Sequence, residues 1–201
     1  MQPSRDLRHI AVIGAGSAGR DLALRCVRAG FEVTLEDVMP SRLRSAVAMA
    51  NAAVMASAAA IRTAQQTFAS EAAPSALHLA STIEDAVRNA DLAIDFVPDE
   101  LESKLEIFSM LDRMAPPRTI LCTPTSALSI ADLASCTYRP QLCFALRFTN
   151  PNTAEVIYTS RSSSAALSAV EHWLTAIGFS LTTAQDPAEL AHSTNNPNHR
   201  S

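Results

Sequence analysis

No stretch restricts this chain more than Ile10-Ala11-Val12-Ile13-Gly14-Ala15-Gly16-Ser17-Ala18-Gly19. Its first four residues are apolar and three of them are β-branched, the pattern of a strand buried on both faces of a parallel sheet. The strand runs directly into Gly14-x-Gly16-x-x-Gly19, and a helical run carrying Leu22, Leu24 and Val27 follows until Gly30. Each glycine has a mechanical reason. Gly14 permits the tight turn, Gly16 lets the backbone approach a diphosphate, and Gly19 lets the helix pack against the strand. The helix start adds free N–H groups and the positive end of a dipole. The loop Gly14, Ala15, Gly16, Ser17, Ala18 and Gly19 is therefore expected to cradle the diphosphate of a dinucleotide.

Phe31-Glu32-Val33-Thr34-Leu35 reads as a second strand, ending on Glu36-Asp37. Asp37 falls close to the spacing, about 20 residues past the first glycine, at which an acid takes the adenosine ribose hydroxyls. A carboxylate there repels a 2′-phosphate, so NAD is the expected cofactor rather than NADP. Arg42 and Arg44 follow and read as solvated residues of the next helix.

A formal charge of −4 with 18% charged residues leaves no basic footprint for nucleic acid. No apolar run reaches the roughly 18 residues of a membrane span. Residues 1–8 are polar and mixed in charge, unlike a signal peptide. Cys26, Cys122, Cys136 and Cys143 show no metal-ligand spacing, and no metal site is expected. Buried, reduced thiols fit a cytoplasmic protein.

Beyond Asp37 the chain alternates. Ser41 is an expected N-cap for a helical run starting near Leu43, almost continuous alanine to about Ser70. So small a surface over so many turns suits a neighbour or a second subunit, and a homo-oligomer is expected. Further strands are expected at 76–79, 91–97, 119–123, 142–146, 154–158 and 179–183, with helices opening near Thr82, Asp99, Ser129 and Ser163. His78, between two leucines, reads as structural. The result is a Rossmann-type doubly wound α/β fold, a mostly parallel sheet of about eight strands with a long Ala-rich helix after the second. One dinucleotide-binding domain over 1–187 and a polar, disordered tail over 188–201 are expected. Ligands of such sheets sit at the carboxyl ends of the strands. The loops after residues 13, 35, 97, 123 and 146 hold the candidate polar groups Asp37, Asp99, Ser126, Arg147 and Asn150.

IAVIGAGSAG, the strand ending in Asp37, ADLAIDFVPDELESK, APPRTILCTPTSALSI and ALRFTNP followed by AEVI occur in this order between Arg8 and Asp186. Together they resemble the NAD-binding domain of the 3-hydroxyacyl-CoA dehydrogenases. That resemblance implies hydride transfer between a 3-hydroxyacyl-type substrate and NAD. It places Asp99 and Lys104 near the cofactor, Ser126 at the substrate, and Asn150 on the asparagine of the family's Asn-Pro pair. Glu155 falls on the glutamate that orients the family's histidine base. The histidine itself is replaced by Arg147, which cannot be deprotonated in a protein. Pro124 replaces an asparagine and Ala127 a serine. The family continues into an all-helical domain, whereas this sequence ends at Ser201.

Two functions remain open on the sequence. One is a dehydrogenase for an altered small-molecule substrate, an acyl-CoA or a carboxylate. Arg147 would clamp a carboxylate or a developing alkoxide, and the proton would go to Ser126, Glu155 or water. The other is a non-catalytic dinucleotide-binding module, or a subunit whose substrate domain another chain supplies.

Overall fold

The computed structural model describes residues 6–63 and 76–189, with side chains of 40 and 53–63 excepted. In chain order the elements are β1 (His9–Ile13), α1 (Ser17–Arg28), β2 (Glu32–Glu36), α2 (Pro40–Thr63), β3 (Leu77–Ala80), α3 (Ile83–Val87) and β4 (Leu92–Asp95). There follow α4 (Leu101–Met114), β5 (Ile120–Pro124), α5 (Ile130–Ala134), β6 (Cys143–Asn150), β7 (Thr153–Tyr158), α6 (Ser164–Ala176) and β8 (Ser180–Gln185). The strands form one sheet in the order β3-β2-β1-β4-β5-β6-β7-β8. From β3 to β6 every pairing is parallel; β7 is antiparallel to β6, and β8 runs parallel to β7. This is a Rossmann-type sheet, and β1 is its switch point, with β2 on one side and β4 on the other.

Both faces are covered, which is why β1, β4 and β5 read as unbroken apolar runs. Ile10, Val12, Leu92 and Ile94 pack with Leu22 of α1, Leu43 of α2 and Trp173 of α6. Ala11, Ile13, Ala93 and Leu121 face the other way, onto Val87 of α3, Phe108 of α4 and Leu133 of α5. Caps set the helix starts: Thr82, Ser129 and Ser163 accept from the amides of Asp85, Asp132 and Ala166. At Gly30 and Gly178, past the ends of α1 and α6, the backbone takes a positive φ.

Two local expectations change. Ser41 is not an N-cap; α2 starts at Pro40, and the Met39 carbonyl accepts from Arg42 and Leu43. Proline at the first helical position has no amide to leave unpaired. Arg147 and Asn150 are not loop residues, because β6 runs on to Asn150. Its parallel pairing with β5 ends at Leu146, and the remainder pairs with β7 alone. The Ala-rich helix is described to Thr63; its expected continuation to Ser70 and the expected tail from 190 lie outside the described residues. Among the described residues no helix is long and apolar enough to cross a membrane. All four cysteines are free thiols, and burial pushes Cys26 and Cys143 up to about 12.

Candidate functional site

The turn after β1 is shaped by its glycines. Gly14 has φ +98° and donates its N–H to the Glu36 carbonyl at 2.9 Å. A methyl group on Gly19 would sit 2.0 Å from the Gly14 carbonyl oxygen, so no side chain fits between helix and turn. Gly16 differs: a Cβ there would meet no protein atom within 4 Å. The open side of Gly16 is room for a ligand rather than for packing. It also caps α1 without a side-chain acceptor, and the first turn holds no acidic residue. The amides of that turn therefore face outward beneath the positive helix end, as an anion requires.

Asp37, at the end of β2, closes the loop from the side. One carboxylate oxygen accepts from Ala15 N–H at 2.9 Å and the other from Met39 N–H at 2.8 Å. Burial opposes its charge, but these two amides and the Arg42 guanidinium outweigh burial and hold the carboxyl below its usual range. Arg42, expected to be solvated, reaches Asp37 at 3.4 Å while half exposed. Neighbouring Glu36 shifts the opposite way, raised by burial and then by the Asp37 charge, against the Gly14 amide.

A second cluster forms at the ends of β4 and β5. One Asp99 oxygen accepts both the amide and the hydroxyl of Ser126, at 2.8 and 2.9 Å. Burial opposes the Asp99 charge, but bonds from Ser126 and Thr125, with Lys104 behind them, keep its carboxyl below the usual range. Lys104 lies fully buried, with its ammonium 2.8 Å from Asp95. Its influence on the cleft is thus electrostatic, through Asp99.

The third cluster is on the β6–β7 hairpin. Arg147 and Glu155 are direct cross-strand partners, 3.4 Å apart and each about three-quarters buried. The Arg147 Nε is buried without an acceptor among the described residues. Asn150 turns inward on its own turn, where its side-chain oxygen accepts from Asn152 N–H. A bulge between Phe148 and Asn150 bends the strand there.

Two arginines were missed by sequence reasoning. Arg20 donates to the Ala15 carbonyl at 2.8 Å; its place just after Gly19, with helical side chains leaning toward the N-terminus, is a usable signal. Arg25 reaches the Pro151 carbonyl at 3.0 Å and lies over the Phe179 ring, which packs on Phe148. Nothing local announces a contact across so much chain.

A glycine turn, a helix N-terminus and a buried β2 carboxylate together fit a dinucleotide with free ribose hydroxyls. The family model for the NAD-binding domain of 3-hydroxyacyl-CoA dehydrogenase matches residues 9–186. The chain belongs to the 3-hydroxyacyl-CoA dehydrogenase family, as its NAD-binding domain. A probable 3-hydroxybutyryl-CoA dehydrogenase of Bacillus subtilis is 31% identical over 146 residues, 73% of this chain and 50% of that protein. The 5-formyl-3-hydroxy-2-methylpyridine 4-carboxylate 5-dehydrogenase of Mesorhizobium japonicum is 27% identical over 86% of this chain and 56% of its own. A solved diketoreductase superposes with a TM-score of 0.73 at 29% identity, over 90% of this chain and 65% of its own. The chain thus spans about half to two-thirds of the length of these three relatives.

Proposed function

We propose that this chain serves an NAD-dependent oxidoreductase that interconverts a hydroxyl and a carbonyl on a small substrate bearing a free carboxylate. The observation that carries this reading is Arg147 at the end of the parallel sheet, which among the described residues has an unpartnered Nε and one long ion pair, to Glu155. A guanidinium matches a carboxylate with two parallel hydrogen bonds. The dehydrogenase from Mesorhizobium, whose substrate name includes a carboxylate, gives the class a precedent within the same family.

NAD, when bound, supplies the hydride acceptor. The protein supplies orientation and a path for the proton. The Ser126 hydroxyl already donates to Asp99, so its oxygen is free to accept the substrate hydroxyl. As the carbinol carbon gives up its hydride, the hydroxyl proton passes to Ser126, and the Ser126 proton passes to ionised Asp99 and on to water. Arg147 takes no proton; it holds the carboxylate and fixes the carbon against the cofactor. The reduced thiols fit a cytoplasmic setting, and the domain works as at least a dimer.

The test follows NADH absorbance with a short free 3-hydroxy acid and with the matching CoA thioester. NADH should form with the free acid and negligibly with the thioester. Arg147→His should not restore thioester turnover, because Pro124 still replaces the family's asparagine. Ser126→Ala should abolish turnover of the acid and Glu155→Gln should only lower it; the reverse order makes Glu155 the proton acceptor. Thioester turnover with no activity on acids overturns the substrate class. NAD binding without turnover of either substrate points to the second reading, a non-catalytic module, favoured by the Arg147–Glu155 pair standing where a base is needed.

A further inference from the structure

Among the described residues, the partly or fully buried arginines follow one rule, with one exception. Arg25, Arg139 and Arg147 form ion pairs with Asp21, Asp112 and Glu155. Arg20 is partly buried too, yet among the described residues no carboxylate pairs with it. Its Nη1 donates to the Ala15 carbonyl at 2.8 Å, and its Nε is buried with no acceptor. A guanidinium drawn out of water and left without an anion is costly, so such a group marks a place where an anion belongs.

Its position says which anion. Arg20 lies in the first turn of α1, and its side chain leans back over the glycine loop. The bond to Ala15 ties the guanidinium to the residue before Gly16, which caps the helix without a side chain and has open space on its Cβ side. We infer that Arg20 binds the diphosphate of the dinucleotide. The Ala15 peptide then carries both halves of the recognition. Its N–H is held by Asp37, the ribose acid, and its carbonyl by Arg20, the diphosphate cation. Because that bond holds the fork in place before the ligand arrives, little side-chain freedom is lost on binding. The inference concerns binding alone and stands whichever substrate the domain serves.

Titrations of the native protein, Arg20→Met and Arg20→Lys with NAD, ADP-ribose and adenosine test it, the first two by calorimetry and the weak adenosine by NMR. Arg20→Met should weaken NAD and ADP-ribose about tenfold, the scale of one charge-assisted hydrogen bond. Adenosine, which has no phosphate, should bind the variant within about twofold of native, because one lost cation leaves the ribose contact in place. The salt dependence of NAD binding should flatten in Arg20→Met and persist in Arg20→Lys, which keeps the charge without the fork. An equal loss for adenosine and NAD would make Arg20 a prop for the loop and overturn the inference. So would unchanged NAD affinity in Arg20→Met.

Discussion

Asp37 is the residue on which the proposed preference for NAD over NADP rests. Its carboxylate is already oriented by the amides of Ala15 and Met39, so no rearrangement is needed to meet two ribose hydroxyls. Asp37→Ala should weaken NAD by about 1–3 kcal/mol, the cost of losing a hydrogen bond to a charged group. Calorimetry with NAD and NADP checks this, and tighter NADP binding by the native protein would contradict the role. Gly19 is constrained more severely. With the Gly14 carbonyl 2.0 Å from any added Cβ, Gly19→Ala must push α1 off β1 or open the turn. It should abolish NAD binding and lower the melting temperature, whereas Gly16→Ala should spare stability and impair only binding, since no protein atom is in its way.

Among the elements, α4 packs Ile107, Phe108 and Leu111 on the sheet and adds one buried charge pair to it. Lys104 and Asp95 are both out of water and 2.8 Å apart, in the middle of an otherwise apolar face. Lys104→Met removes one partner and strands the other, at a cost of about 3–5 kcal/mol. Adding Asp95→Asn to that variant should recover a good part of the loss, because no buried charge then remains. Urea unfolding of the single and double variants measures both. The β6–β7 hairpin is held differently, by Arg25 of α1 reaching Pro151 and covering Phe179. Much of β6 and β7 was legible in the sequence, but the overrun of β6 past Leu146 was not. The polar stretch Arg147–Asn150 has the composition of a loop and becomes strand only because β7 folds back to pair with it.

At the scale of the whole molecule, carboxylates tie distant parts of the sheet together and set its acid limit. Asp91 accepts from the amides of Arg8 and His9, and burial is outweighed by those bonds and by Arg118, so its carboxyl is lowered. Asp37 and Asp99 are lowered as well. An acid lowered on folding contributes stability that is complete above its unfolded value, about 3.9, and is lost as pH falls through the folded value. Glu36 and Asp95, both raised on folding by burial, work in the opposite sense, and their contribution is present at low pH and lost as pH rises. With three carboxyls lowered against two raised, thermal melts should show stability falling below about pH 4 as Asp37, Asp91 and Asp99 take up protons. Val47 on α2 and Leu79 on β3 are exposed apolar side chains lining one groove, which the proposed second copy would cover. Light scattering at micromolar concentration should give at least the mass of a dimer, and a monomer mass would count against that arrangement.

Local signals determined the framework of this protein. Apolar β-branched runs, three glycines at fixed spacing and an acid at the next strand end act through near neighbours, so the turn after β1, the strand sequence and membership of an NAD-binding family were readable in advance. What a side chain meets across the sheet was not. Asp99 with Ser126, Lys104 with Asp95 and Arg25 with the hairpin are pairs made by strand order and register. A charged residue reads the same in sequence whether it faces water, a ligand or an opposite charge. Only the fold brings the partner that decides which, because a buried charge must be matched where it lies and the match comes from another strand.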